Sequence, residues 1–304
     1  MALKGVKPES KEKRLKLFLY GPAGVGKTTA AIQFPNSYII DMERGADHYG
    51  ESITRAGSVI FQTVNPDEVK EEIKALLTEK HNYRTLIIDP ITSLYNALQD
   101  KWSRIFEKHA KTQEQAEIQD FGMRYWGRVK SEYKAIQRML MNLDMNVIIT
   151  SHQKDIYGMG MQKVGVGPDS MKGDTYFFDF VFALDSVNGK RIARTIKERA
   201  EIGKNKFPES FEWSYDNFLG FYGKDIITRE AVAVEMATPE QVEEITHLLS
   251  VVKIDDGTIN GWFTKHDVDS WDQLTKEQIQ KYIDAIHKKF QPVLATVTTN
   301  KGVK

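Results

Sequence analysis

The stretch LKLFLYGPAGVGKTTAAIQF, Leu15 to Phe34, decides how the rest of the chain is read. An apolar run stops at a glycine-rich turn, and a helical run follows. Inside it, GPAGVGKT, Gly21 to Thr28, satisfies G-x-x-x-x-G-K-[S/T] at every position. A strand before and a helix after are the context a phosphate loop requires, and a chance glycine-rich turn would lack both. In such a loop, Gly21-Pro22-Ala23-Gly24-Val25-Gly26, the glycines let successive backbone N–H groups converge on phosphate. The following helix N-terminus adds its partial positive charge. Lys27 is expected to bridge the β- and γ-phosphates and Thr28 to ligate Mg²⁺, with Thr29 completing the nucleotide-contacting run. The predicted bound pair is ATP with Mg²⁺.

Outward from this loop, SYIID, SVIFQTV, YRTLIIDP and MNVIITSH are short apolar runs. They alternate with PDEVKEEIKALLTEK and with amphipathic helical patterns over 91–109 and 119–143, the last two joined by the polar KTQEQAEIQ. Such alternation predicts an α/β fold, a mostly parallel central sheet flanked by helices. Asp89 ends one buried strand and is expected to hold Mg²⁺ through water; a loop cap is the alternative. YGMGMQKVGVGPDSMKGD, Tyr157 to Asp174, holds five glycines and no clean period, and is expected to be a long mobile loop or flap. YFFDFVFALDSVNGKRIARTIKE reads as a hairpin turned at Asn188-Gly189. From Thr238 to Phe290 the pattern is helical, and TPEQVEEITHLLSVV and TKEQIQKYIDAIHKKF each open on Thr with Glu at or near the third position after it, a helix-start signature. The expected organisation is a basic segment at 1–13, an ATPase core at 14–236, a small helical module at 238–290 and a flexible tail at 291–304.

The composition is that of an ordinary soluble globular protein, with 41% hydrophobic and 28% charged residues in 304. The absence of cysteine excludes disulfides, Cys-ligated zinc and thiol catalysis, and it suits a reducing cytoplasm. No apolar run is long enough to cross a membrane, and the basic N-terminus lacks the apolar core of a secretory signal. The charges balance at 42 against 42, so no strongly cationic binder is announced globally. Locally, residues 187–206 carry seven Lys/Arg against two Glu, whereas the chain from Thr238 onward carries eight against ten Asp/Glu. Positive charge is therefore concentrated in the core, where it could follow a phosphate backbone.

Several phosphate-loop classes are disfavoured by missing motifs. There is no guanine-reading Asn-Lys-x-Asp and no Leu-Ser-Gly-Gly-Gln of transporter ATPases, and Pro90 stands where an AAA+ protein usually has a Glu after its Mg²⁺ Asp. A water-activating carboxylate must come from elsewhere. YIIDMERGAD, Tyr38 to Asp47, supplies one: Glu43 ends the strand after the phosphate-loop helix, where Mg²⁺ and Lys27 would neutralise nearby phosphate. The other reading is that Asp41 and Glu43 cap a strand and stay solvated.

This stretch resembles the strand-Asp-x-Glu of RecA-type recombinases and their relatives. The resemblance implies that Glu43 is the catalytic carboxylate and that Asp41 supports the loop. IQDFGMRYWGRVKSEYKAIQRMLMNLDMNVIITSHQ resembles the helix and strand leading to that family's γ-phosphate sensor. Ser151, His152 and Gln153 are the candidates, with His152 favoured by position although the family usually has Gln there. Loop 155–173 matches the family's second DNA-binding loop, which implies contact with single-stranded DNA through Lys154, Lys163, Lys172 and a stacking Tyr157. RTIKERAEIGK resembles a basic strand and turn whose two cations, here Lys197 and Arg199, reach the ATP of a neighbouring subunit.

The resemblance covers residues 14–236 and is closest to phage-encoded RecA-like ATPases of the Sak type, which act in single-strand annealing or recombination. No counterpart of the N-terminal oligomerisation helix or helix-hairpin-helix domain of cellular recombinases is read in the chain. The resemblance implies a DNA-stimulated ATPase in a bacterial host cytoplasm, assembled as a homo-oligomer with ATP at subunit interfaces. The helical module resembles C-terminal modules of phage recombination proteins, which implies either a site for a single-strand-binding protein or a structural cap. Two other classes remain open: a small-molecule kinase with Arg191, Arg194 and Arg199 as a phosphate lid, and a nucleotide-gated adaptor with little hydrolysis. A directional helicase is a variant of the first reading.

Overall fold

The computed structural model describes residues 14–110, 121–199, 204–228, 235–252, 254–266 and 268–299; the basic segment 1–13 and the linker 111–119 lie outside the described residues. The chain divides into two compact units, Met1–Lys74 with Lys80–Val232, and Ala75–Glu79 with Ala233–Lys304.

The first unit is built on one sheet. Its strands are β1 (Lys16–Gly21), β2 (Ser37–Asp41), β3 (Val59–Gln62), β4 (Thr85–Asp89), β5 (Asn146–Tyr157), β6 (Lys163–Pro168), β7 (Phe180–Val187), β8 (Lys190–Glu198) and β9 (Ser210–Glu212). The order is β3-β2-β4-β5-β1-β7-β8-β9, with β6 paired to β5 off that path. The pairs from β3 through to β7 are parallel, and β8 and β9 close the edge antiparallel. The helices are α1 (Lys27–Ala31), α2 (Gly50–Arg55), α3 (Pro66–Thr78), α4 (Ile91–Ala110), α5 (Phe121–Asn142), α6 (Tyr215–Tyr222) and α7 (Lys224–Thr228). Every residue of β1 and β4 is buried, as expected of parallel strands covered on both faces.

One buried residue looks out of place in that pattern. Lys16 lies within β1 at 7% exposure, and its Nζ donates to Leu140 O, Leu143 O and Met145 O at 2.9, 3.1 and 3.1 Å. Leu140 lies in the last turn of α5 and Leu143 just past its end, where backbone acceptors lack intrahelical partners and a cation is favoured by the helix dipole, and Met145 lies in the link to β5. The lysine therefore caps one helix from inside the sheet and ties β1 to α5.

The glycine-rich stretch is not the loop expected. β5 runs on past the sheet to Tyr157 and pairs antiparallel with β6, from Gln153↔Pro168 to Tyr157↔Lys163, with an irregularity at Ile156/Tyr157. In KVGVGP the valines alternate with glycines, so strand periodicity is carried by half the positions. Gly167 lies so near Ile156 across the pair that an added Cβ would meet its Cδ1 at 3.0 Å. The turn is tight: Gly158 N donates to Gln162 O at 2.9 Å, with Gly160 and Met161 at positive φ. The other hairpin forms as expected, with Asn188 and Gly189 at φ 52° and 75° between Val187 and Lys190.

After β6 the chain is fastened to α5. The 3-10 turn Asp174–Tyr176 places the buried Asp174 carboxylate where Tyr133 Oη and Gln137 Nε2 both donate to it. The second unit contains α8 (Pro239–Val252), α9 (Asp256–His266) and α10 (Lys276–Thr299) around Ile245, Leu248, Leu274, Ile279, Ile283 and Ile286. Helices α8 and α10 open with reciprocal caps, and in both the partner three residues on is Gln rather than Glu. Gln241 N donates to Thr238 Oγ1 at 3.3 Å while Thr238 N donates to Gln241 Oε1 at 3.1 Å. Gln278 N and Thr275 N repeat this pair of bonds at 3.2 and 2.9 Å. α10 reaches Thr299, into the stretch expected to fray, with a break at Phe290 (φ −115°, ψ 18°) two residues before Pro292.

Burial raises the Asp174 carboxyl to about 6, against the pull of its hydrogen-bond donors. A folded-state value above the unfolded one gives stability that is complete below pH 3.8 and lost as pH rises through about 6. Asp174→Asn should therefore remove a component of up to about 1.4 kcal/mol per pH unit between those limits. Urea unfolding of both proteins from pH 4 to 7 checks this; parallel pH profiles would show that the carboxyl does not titrate there.

Candidate functional site

Parallel register brings the candidate residues to one end of the sheet. Asp41 of β2 pairs with Asp89 of β4, Ile88 with Ile149 of β5, and His152 of β5 with Gly21 of β1. Because β5 lies between β1 and β4, its terminal residues sit between the phosphate loop and the strand-end carboxylate. Ligand sites in open α/β sheets form at this carboxyl end.

The phosphate loop leads from β1 into α1 with Gly24 and Gly26 at φ 74° and 89°, a left-handed region that glycine adopts without strain. Lys27 Nζ is folded back onto the loop and donates to Gly21 O at 3.0 Å and Pro22 O at 2.9 Å. Burial pushes its pKa down, while Asp89 and Glu43 pull it up. Thr28 Oγ1 donates to Asp89 Oδ2 at 2.6 Å, and Thr150 Oγ1 donates to the other oxygen, Oδ1. Burial raises the Asp89 pKa, and these two hydroxyls oppose it. An oxygen pair of hydroxyl and carboxylate, beside a lysine and a glycine-rich turn, fits Mg²⁺ carried in with nucleotide phosphates, since Mg²⁺ takes few protein ligands and keeps water. Among the described residues no three His, Asp or Glu gather as a self-sufficient metal cage.

The two carboxylates of the Tyr38–Asp47 stretch separate clearly. Asp41 is buried and accepts from the backbone N–H of Glu43 and Gly45, both at 3.1 Å, and of Ala46 at 3.0 Å. It folds the loop around itself. Glu43 is held out toward the site. Ser93 Oγ donates to its Oε1, and His152 Nε2 lies 3.1 Å from its Oε2. The His152 backbone N–H donates to Thr92 Oγ1 at 2.9 Å, and Thr92 Oγ1 donates to Asp169 O at 2.7 Å, just after β6. Of the three sensor candidates, His152 alone is seen to reach Glu43; Ser151 is fully buried against Thr92, and Gln153 begins the hairpin ladder.

The other expected residues scatter. Lys154 pairs with Asp169 at 3.1 Å and Lys163 with Asp155 at 2.7 Å, both on the hairpin, and Lys172 is exposed beyond it. The hairpin tip is apolar rather than basic: Tyr157 is 60% exposed, Met159 97% and Met161 86%. Lys197 Nζ donates to Thr175 O and Tyr176 O, and Arg199 pairs with Asp179 at 3.2 Å. Since Phe180 pairs with both Leu17 and Glu198, these two cations lie at the end of the sheet away from this chain's own phosphate loop.

Sequence reading placed Arg191 only in a three-arginine lid, yet it is the cation beside the phosphate loop. Its Nε donates to Val25 O at 3.0 Å, and its Nη2 lies 2.1 Å from where a Gly26 Cβ would stand. Arg199 is at the other end of the sheet, so those three arginines do not form one lid. Thr92, Ser93 and Thr150 are further site residues; for the first two the available signal is a pair of hydroxyls in the first turn of the helix after a strand-end Asp, and Thr150, inside β5, carries none.

Sheet order, phosphate loop and strand-end carboxylate together define a phosphate-loop nucleotide-binding α/β domain. The chain belongs to the AAA domain family, whose model matches residues 13–207, so Pro90 in place of the usual Glu, which spoke against an AAA+ protein, does not exclude it from that family. Among solved structures it is similar to the RadB recombinase, at 19% identity and a TM-score of 0.35, over 60% of this chain and 80% of that one. No curated protein matches the chain. No helix among the described residues is long and apolar enough to cross a membrane.

Removing the Asp41 carboxylate strands three backbone donors at once. Asp41→Ala should cost about 3 kcal/mol, by the usual penalty for lost charged hydrogen bonds and unsatisfied buried groups. The fall in denaturation midpoint at constant m-value measures it; a loss under 1 kcal/mol would mean that water satisfies the loop.

Proposed function

We propose that this protein is an ATP-hydrolysing, single-stranded-DNA-binding RecA-like ATPase that promotes annealing or homologous recombination, of the kind phages encode. One observation carries the reading. Strand β5 leaves the nucleotide site at His152, which touches Glu43, and continues without a break into the projecting hairpin. A change at the γ-phosphate would thus be felt by a rigid element that ends in exposed Tyr157 and methionines.

In this reading the loop and Lys27 bind the triphosphate, and Thr28 and Asp89 hold Mg²⁺, which supplies charge neutralisation at the phosphates when bound. Glu43 orients the attacking water and takes its proton. Ser93 and His152 fix the carboxylate's direction. Exposed Tyr157 stacks on bases, with Lys154, Lys163 and Lys172 nearby for phosphate. Lys197 and Arg199, turned from their own phosphate loop, act on a neighbouring copy's nucleotide in a homo-oligomer, and the helical module docks a partner such as a single-strand-binding protein. A second reading, a small-molecule kinase, is favoured by a cavity of about 630 Å³ lined by Met42, Asn65, Ser93, Asn96 and Lys101, of which Ser93 also bonds Glu43. An acceptor bound there would take the phosphoryl group in place of water.

Steady-state ATP hydrolysis with and without single-stranded DNA tests the proposal. DNA should stimulate turnover, and the stimulation should fade as salt rises, because phosphate contacts release counterions. Glu43→Gln should retain ATP binding and lose turnover by about a hundredfold or more. Turnover indifferent to DNA, or phosphate delivered to an added acceptor, would reject the reading.

A further inference from the structure

The hairpin presents apolar side chains, while both of its lysines, Lys154 and Lys163, are engaged with carboxylates. Unengaged positive charge is found instead on α5. Its sequence, FGMRYWGRVKSEYKAIQRMLMN, holds five Lys/Arg and one Glu in a chain of zero net charge. That Glu is turned away: Glu132 accepts from Lys101 Nζ at 2.7 Å and from Trp102 Nε1 at 2.6 Å, both on α4. Arg128 turns the same way, its guanidinium 6.0 Å from the Trp102 ring centre. Val129, Tyr133, Ile136 and Leu140 form the buried face. Lys130 and Lys134, one helical turn apart, remain exposed, with no ion pair to any described residue.

An exposed aromatic stands at each end of this pair. Trp126, 41% exposed, precedes Lys130 by one turn. Tyr176, 78% exposed, belongs to the turn that Gln137 and Tyr133 hold through Asp174. From Trp126 to Gln137 the helix rises about 16 Å. Interleaved cations and exposed rings on a rigid support are the pattern of single-strand surfaces, where backbone attraction and base stacking act together. The stripe also leads away from the hairpin: Asp179, just after Tyr176, donates its backbone N–H to Lys16 O at the far end of β1.

We propose that the stripe of Trp126, Lys130, Lys134 and Tyr176 is a second nucleic-acid surface, holding one single strand while another lies on the β5–β6 hairpin. This rests on the single-strand-binding reading above and gives it the second path that pairing two strands requires. An acidic protein would meet the same lysines but would not need both exposed rings.

The test uses full-length protein bound to immobilised oligothymidine, then offered a labelled, non-complementary oligocytidine. Wild type, Lys130→Glu/Lys134→Glu, Lys130→Arg/Lys134→Arg and Tyr157→Ala are compared. The Glu pair should hold the first strand within about twofold of wild type and capture the second at least tenfold less. The Arg pair should behave as wild type, and Tyr157→Ala should lose the first strand. DNA-independent ATP turnover should be unchanged in the Lys130/Lys134 variants, which reports intact folding. Undiminished second-strand capture by the Glu pair would overturn the proposal and leave the hairpin reading standing. Equal loss of both strands would make α5 part of one site and overturn it too. Displacement of the second strand by polyglutamate at equal charge would assign the stripe to an acidic protein. Failure of wild type to hold even the first strand would remove the functional reading itself.

Discussion

The Asp89 carboxylate is the fixed point of this structure. It is almost wholly buried, and a buried carboxylate is tolerated only when its oxygens are occupied. Thr28 takes one oxygen from the phosphate-loop helix, and Thr150 takes the other from β5. Three elements that are far apart in sequence are thus locked at one point. Everything at the carboxyl end of the sheet is placed from it: Met42 N–H on Asp89 O starts the loop that Asp41 winds and Glu43 leaves. The same register sets His152 beside Gly21 and sends β5 outward as the hairpin.

Much of this was legible in the residues. GPAGVGKT between an apolar and a helical run could only be a phosphate loop, because backbone geometry and spacing are both specified there. TLIID and VIITSH announced buried parallel strands by their unbroken apolar character. The division of labour between Asp41 and Glu43 was also foreseeable, since a strand-end Asp readily accepts from the backbone just beyond it. What stayed hidden is order across the sheet. Nothing local tells β5 to enter between β1 and β4, yet that insertion is why Thr150 and His152 belong to the site. The hairpin was hidden for another reason: glycine fills alternate positions of β6 and erases the strand signal while leaving the pairing intact.

Charge was the least legible property. A count along the chain singled out residues 187–206, but the fold disperses them. Arg191 goes to the phosphate loop, Arg194 to the neighbourhood of Tyr20, and Lys197 and Arg199 to the opposite end. On α5, by contrast, a modest excess becomes concentrated because its one acid is drawn off by Lys101 and Trp102. Local charge density depends on which partners the packing removes, and a sequence count cannot subtract them.

The helical module carries a different kind of information in its caps. Helices α8 and α10 start on Thr–Gln pairs, whose reciprocal bonds hold no titratable proton, although Glu240 beside Thr238 and Glu235 on Lys276 add carboxylate contacts that hold both acids below their usual range. Helix α9 between them starts on Asp255, which accepts from Thr258 N at 2.9 Å and Thr258 Oγ1 at 2.7 Å. Those bonds hold its pKa below the usual carboxylate range, so the cap is present above that range and is lost as pH falls through it. Acidification therefore removes the α9 cap itself, whereas the α8 and α10 starts keep their Thr–Gln bonds and lose only the carboxylate contacts beside them.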